Sequence, residues 1–77
     1  MPRVICPIAL SADRWLPFYR GEVRALLVRS LDGRSVQLPA ASLQRFVDMD
    51  GLNGIFVVDF TDGGKLVRIE RLAIPDP

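Results

Sequence analysis

Histidine is absent from these 77 residues, and the chain contains a single cysteine, Cys6. The histidine imidazole is the usual general base near neutral pH and the commonest protein metal ligand. A cysteine nucleophile normally needs such a base beside it, and Cys6 has no histidine to supply one. We therefore expect no enzymatic activity, no metal and no cofactor, and no residue pattern identifies a small-molecule substrate.

Disulfides and long apolar runs are missing too. One cysteine cannot form an internal disulfide, which favours a reducing cytoplasm as the protein's location. No run approaches the roughly 20 apolar residues of a membrane-spanning helix, so no membrane association is expected. The apolar segment Val4 to Leu10 is short and interrupted by Pro7, which argues against a signal peptide.

Charge is low and apolar content is high. The net charge is +1, so no field of the whole molecule draws a polyanion toward it. Hydrophobic residues make up 49% of the chain and the mean hydropathy is +0.23. A single small domain spanning residues 1–77 buries only about 60% of its unfolded surface. The surplus apolar surface predicts a protein partner or a homo-oligomer.

The first third of the chain predicts a strand and a short helix. Val4 to Leu10 alternates like a strand, and Pro7 restricts it to a sheet edge. Ser11 is a suitable N-cap for a helix that ends or kinks near Leu16, because Pro17 removes a helical hydrogen bond. Gly21 is the expected stop. Three residues at helical spacing are expected to cover one end of the sheet: Trp15, Leu16 and Tyr19.

A hairpin and a second short helix follow. The strands are predicted over 22–30 and 34–38, joined by a type I′ turn at Asp32 and Gly33. This register places Leu27 opposite Leu38 and Arg29 opposite Val36. Pro39 suits the start of a helix over 40–47. Three residues of that helix are expected to face inward: Leu43, Phe46 and Val47.

The segment from Gly51 to Leu72 predicts a second hairpin that supplies most of the core. Its core face is predicted to contain Phe56, Val58, Phe60, Val67 and Ile69. Two registers compete. A loop at residues 62–63 places Val58 opposite Val67, whereas a loop at residues 63–64 places Val58 opposite Ile69 and Asp59 opposite Arg68. The second register pairs opposite charges directly across the strands.

These elements predict an α+β fold that is mostly β. The connections are too short for parallel crossovers, so the strands are antiparallel. We expect a small, strongly bent antiparallel sheet or an SH3-like barrel of about five strands with two short helices. Residues 72–77 contain two prolines and are predicted to be a flexible tail.

A set of spaced residues extends over most of the chain: Gly33 to Ala40, Leu43, Phe46-Val47, Gly51 to Gly54 and Phe56, preceded by Trp15 to Tyr19 and Gly21. From Ile8 to Leu72 this pattern resembles a bacterial family known as domain-of-unknown-function family twenty-eight thirty-five. Pro17 departs from the family pattern. The resemblance implies a stand-alone cytoplasmic bacterial protein, and it carries over no catalytic residue.

The functional hypothesis is a protein-interaction or self-associating module, in which the Pro7-bearing edge could accept an added strand. The candidate interaction surface consists of Arg24, Ile55, Val57, Arg68 and Glu70. The alternative is a small β-barrel that binds RNA or DNA weakly through surface arginines and stacking aromatics. An apolar patch on the outer sheet face would favour the first hypothesis, and an arginine cluster there would favour the second.

Overall fold

A computed structural model describes residues 2–73 of the chain. Five strands and two short helices follow one another over this range. In chain order they are β1 (Arg3–Leu10), α1 (Ala12–Tyr19), β2 (Ala25–Arg29), β3 (Ser35–Pro39), α2 (Ala40–Leu43), β4 (Leu52–Phe60) and β5 (Leu66–Ala73). A 3-10 turn at Gln44–Phe46 directly continues α2, and we call residues 40–46 the α2 segment. The predicted tail overlaps β5 at Leu72 and Ala73, and residues 74–77 lie outside the described range.

The strands form two antiparallel sheets. One has the order β1-β4-β5 and the other pairs β2 with β3. The Leu31 N–H donates to the Ile5 carbonyl at 2.8 Å and links the two sheets along the outer edge of β1. Between the sheets lies the apolar core, whose fully buried side chains are Cys6, Leu38, Leu43, Leu52, Phe56 and Val58. The predicted mostly β, antiparallel α+β fold is confirmed.

The sheets do not close into a barrel, so the barrel alternative is wrong. Closure would require a strand to pair with the outer edge of β5. Instead β3 runs directly into the α2 segment, which lies beside β5. Its Arg45 Nη2 donates to the Ile69 carbonyl oxygen at 2.6 Å, so a side chain supplies a hydrogen bond at this edge.

The first strand follows its prediction. Among the described strands, β1 pairs with β4 alone and is an edge of the three-stranded sheet. Pro7 lies on it opposite Ile55, and its side chain is exposed. Val4 and Cys6 point into the core on the opposite face, as the alternation requires.

Helix α1 extends past its predicted end near Leu16. The Ser11 hydroxyl accepts from the Arg14 N–H at 3.4 Å, so Ser11 is the N-cap as expected. The helix passes through Pro17 and ends at Tyr19, because proline removes only one of its internal bonds. Gly21, at φ 77°, then stops it. The Gly21 N–H donates to Phe18, and the next N–H donates to Pro17, which is a Schellman motif.

The inward face of α1 differs from the predicted one. Trp15 is buried and stacks on Phe18, with ring centroids 5.2 Å apart. Leu16 and Tyr19 are 39% and 66% exposed, so their assignment to the covering face is wrong. The helix is only two turns long, and the side chains that it turns toward the core are those of Trp15 and Phe18, three residues apart.

The first hairpin has a three-residue loop, Leu31 to Gly33. The Ser30 N–H donates to the Arg34 carbonyl at 2.8 Å, and the Gly33 N–H donates to Ser30 at 3.0 Å. Only Gly33 has a positive φ, 87°, so the predicted type I′ turn is wrong. A type I turn followed by a left-handed glycine fits this geometry. The register therefore shifts by one residue, as shown by the pairs Leu26–Leu38 and Val28–Val36.

The second hairpin repeats this loop over residues 62–64. Gly64 has a φ of 86°, and its N–H donates to Thr61 at 2.9 Å. Val58 lies opposite Ile69 and Asp59 opposite Arg68, as in the second of the two predicted registers. A β-bulge follows toward the loop, where Phe60 pairs with Leu66.

The bulge changes one core assignment. An extra residue in β5 turns Val67 outward, where it is 50% exposed, and Leu66 packs against the core instead. Placing Val67 in the core is therefore wrong. Phe56, Val58 and Ile69 are buried as predicted, and Phe60 is half-buried against them. In the α2 segment and just after it, Leu43 is buried while Phe46 and Val47 pack half-buried on the core, as expected.

Candidate interaction surface

The face of the three-stranded sheet that points away from the core is one candidate surface. Strand pairing places its residues in rows: Arg3, Asp59 and Arg68 in one row, Ile5, Val57 and Glu70 in the next, and Pro7 beside Ile55. We call these eight residues the outer face. Their neighbours in sequence, such as Cys6, Val58 and Ile69, are buried on the other side.

The centre of the outer face is apolar. Ile5, Ile55 and Val57 are half-buried, and Pro7 beside them is exposed. All four side chains are at least partly accessible to solvent, even those of Ile55 and Val57 on the central strand. In the part of the chain that the structure describes, no layer therefore seals this face as the core seals the other.

The charges of the outer face are already paired. Arg3 Nε donates to Asp59 Oδ1 at 2.7 Å, and Arg68 forms an ion pair with Glu70. The hydrogen bond from Arg3, followed by its charge, lowers the pKa of Asp59, and the same contact raises the pKa of Arg3. The outer face is thus an apolar patch with balanced charges rather than an arginine cluster.

The structure brings together four of the five predicted surface residues. Ile55, Val57, Arg68 and Glu70 share the outer face, and two pairs, Val57–Glu70 and Asp59–Arg68, are directly opposite. Arg24 is separate from them. It precedes β2 in the other sheet, where its carbonyl accepts from the Ala40 N–H at 2.9 Å. The single continuous sheet that would have united them does not form.

A second feature was not predicted from the sequence. An open groove of about 1080 Å³ runs between the α2 segment and the free edge of β5. Its lining consists of Ala41, Ser42, Arg45, Phe46 and residues 66–71. We call it the β5 groove. Strand β5 has eight residues, and within residues 2–73 it is hydrogen-bonded to another strand only on its β4 side.

Arginines and one aromatic ring shape the β5 groove. The guanidinium carbons of Arg45 and Arg71 lie 4.6 and 5.7 Å from the ring centroid of Phe46. Arg71 Nη1 also approaches the Phe46 and Asn53 carbonyls, each at 3.4 Å. Phe46 itself packs edge-to-face on Phe56, with centroids 5.1 Å apart. Core and arginines therefore occupy this ring, and it is no free platform for a stacking base.

The Arg3–Asp59 pair makes a testable contribution to acid stability. The pKa of Asp59 is lower in the folded protein, so its stabilisation is complete above the ordinary aspartate pKa, about 4. It is lost as pH falls through the lowered value. Asp59→Asn should therefore flatten the decline of the urea midpoint below about pH 5, as measured by Trp15 fluorescence.

Asp62→Asn is the matched control, because Asp62 lies in the second loop and forms no ion pair among residues 2–73. Its acid-denaturation curve should keep the slope of the parent protein. Identical curves for the parent and Asp59→Asn would show that the contact does not persist in solution.

Comparison with known proteins identifies a family for this chain. A family model described as "Protein of unknown function (DUF2835)" matches residues 2–72, which confirms the resemblance stated above. No match was found to a curated protein or to a solved structure. No helix in the described range has the length and apolar character to cross a membrane. Within the same range, no three His, Cys, Asp or Glu side chains are grouped so that they could hold a metal ion.

Proposed function

The chain belongs to the DUF2835 family, whose description assigns no activity, and we propose from its geometry that it is a non-enzymatic protein-interaction module. Its proposed mode of binding is strand addition, in which an extended segment enters the β5 groove and pairs with β5. The observation that carries the proposal is the free edge of this eight-residue strand, which faces an open groove.

Strand addition needs unpaired main-chain groups at an accessible edge. On β5, the Ile69 carbonyl takes a hydrogen bond from the Arg45 side chain at 2.6 Å. An incoming strand can replace this contact with a main-chain bond. The flexible arginine can move aside without unfolding any element.

The Pro7-bearing edge of β1 fits an added strand less well than β5 does. Pro7 has no N–H to donate, and the Ile5 carbonyl already accepts from Leu31 at 2.8 Å. Strand addition at β5 also has an apolar contribution, because Val67 and Leu72 on this strand are 50% and 65% exposed. Part of that surface becomes covered when a further strand lies alongside.

The charge pattern of β5 restricts the added strand. Arg68 and Glu70 are both exposed and lie on the outer face. A complementary antiparallel strand therefore carries a carboxylate opposite Arg68 and a cation opposite Glu70. Such a segment, extended and of alternating charge, is the ligand class that the groove fits.

Peptide selection tests the proposal. Peptides of nine residues selected for binding to the full-length protein should shift the NMR amide signals of residues 66–71 and the side-chain signal of Arg45. In an added strand, the N–H groups of every second peptide residue point toward β5. N-methylation of those residues should weaken binding at least about tenfold, whereas N-methylation of the intervening residues should have little effect. Binders that perturb only other surfaces, or that tolerate N-methylation in both phases, would overturn the proposal.

Nucleic-acid binding remains the alternative prediction. Phe46 is already covered, and Arg3, Arg34 and Arg68 each form an ion pair with a carboxylate. Arg45 and Arg71 carry no ion pair among residues 2–73, but the ring beside them is the covered Phe46, so they adjoin no open stacking surface. Fluorescence anisotropy with single-stranded RNA and DNA at low and high salt tests this alternative. Salt-sensitive binding that shifts the arginine signals would favour it over strand addition.

A further inference from the structure

We infer that the strand added to β5 is β5 of a second copy of this chain, antiparallel and centred on Ile69. This inference rests on the proposed function and names the partner of the same site. Antiparallel pairing of a strand with itself creates a two-fold axis, so the same surface serves both copies. Two three-stranded sheets would join into one six-stranded sheet.

The centre of the symmetric pair fixes its register. Ile69 lies near the middle of β5 and between its two register irregularities, at Val67 and Leu72, so a pair centred on it is regular around Arg68 to Glu70 and reaches Leu66 and Leu72 at its ends. In this register Arg68 lies opposite the partner's Glu70, and Glu70 lies opposite the partner's Arg68. Both residues are on the outer face of the sheet, so their side chains meet on the same side.

Charge self-complementarity is specific to this arrangement. The side chains of Arg68 and Glu70 are 64% and 53% exposed, so both are accessible to a second chain. Within one copy they pair along the strand, two residues apart. In the dimer each gains an opposite charge directly across the strands, and symmetry provides the contact twice.

Exposed apolar side chains lie within the same overlap. Val67 and Leu72 are 50% and 65% exposed. Pairing covers part of both. It also places the two outer faces on one continuous sheet surface, with the charged residues of the two β5 strands between their apolar centres.

In the monomer, the Arg45 side chain occupies this edge of β5. Its guanidinium lies on the Ile69 carbonyl, which in the dimer would accept from the partner's Ile69 N–H. Proteins often protect an edge strand with such a charged side chain. Arg45→Ala should therefore tighten self-association, whereas a purely structural arginine would give no gain when it is removed.

Charge reversal tests the register. Sedimentation of the parent protein over a range of concentrations should show a monomer–dimer equilibrium. Arg68→Glu and Glu70→Arg should each weaken the dimer at least about tenfold, since each replaces two attractive contacts with repulsive ones. An equimolar mixture of the two variants should dimerise again, because one strand then carries two acids and the other two arginines.

Arg29→Glu is the control, an exposed position on β2 with the same change of charge. It should leave the dimer unchanged, and circular dichroism should show that all variants fold. A parent protein that stays monomeric while selected peptides bind to β5 would overturn the second copy as partner and leave strand addition standing. A dimer that the mixture does not restore would place the contact on another surface and overturn the register.

Discussion

Replacing Gly51 with alanine is expected to destabilise the fold by about 4 kcal/mol or more, a large fraction of the stability of so small a domain. Gly51 has a φ of 103°, and an added Cβ would lie 2.1 Å from the Leu10 carbonyl oxygen and 2.6 Å from the Ser11 carbonyl carbon. These are main-chain atoms at the junction of β1 and α1, so they cannot yield as a flexible side chain would. Urea unfolding followed by the buried Trp15 measures the loss.

Gly33→Ala and Gly64→Ala are matched controls. Both glycines have nearly the same positive φ, 87° and 86°, but apart from the glycine and its two chain neighbours no atom lies within 4 Å of an added Cβ at either position. Only backbone strain remains, and each variant should lose about 1–2 kcal/mol. Equal losses at all three positions would contradict the close approach of Gly51 to the β1–α1 junction.

The packing of Gly51 could not be predicted from the sequence. Residues 48–51, Asp-Met-Asp-Gly, have the composition of a polar connector. In the structure Asp48 and Gly51 form an antiparallel bridge with two main-chain hydrogen bonds of 3.0 Å. Gly51 is buried against the end of β1. A contact across about 40 residues leaves no local signal beyond the glycine itself.

The hairpin loops are a case in which a local signal existed. Ser30 Oγ accepts from the Arg34 N–H at 3.2 Å, and Thr61 Oγ1 accepts from the Lys65 N–H at 3.0 Å. In each loop the first residue donates its N–H to the carbonyl of the fifth. The N–H of the fifth residue donates to the side-chain hydroxyl of the first in place of its carbonyl. The segments S-L-D-G-R and T-D-G-G-K share a hydroxyl residue first, glycine fourth and a basic residue fifth. Reading them together would have favoured the longer loop.

The outer face could also be predicted, because its residues are set by local sequence patterns. Ile55, Val57, Arg68 and Glu70 meet there because strand alternation and a cross-strand charge pair are both local properties of one hairpin. The β5 groove could not be predicted. Arg45 and Ile69 are 24 residues apart, and their contact depends on the α2 segment taking the place of a further strand.

The strongest core effect is expected at Phe56. Its ring is fully buried at the centre of β4 and packs edge-to-face on Phe46, 5.1 Å away. Phe56→Ala removes this contact and leaves a cavity between the sheets, so we expect a loss of about 3–5 kcal/mol. Urea unfolding with Trp15 fluorescence is again the measurement.

Phe60→Ala on the same strand is the matched comparison, because Phe60 is half-buried beside the bulge. Its loss should be smaller, about 1–3 kcal/mol, since the surrounding side chains and water can fill the space. A double-mutant cycle of Phe46→Ala with Phe56→Ala should give a coupling of about 0.5–1.5 kcal/mol for the edge-to-face pair. A coupling near zero would mean that Phe46 is held by the Arg45 and Arg71 guanidinium groups alone, and the β5 groove would then be independent of the core beneath it.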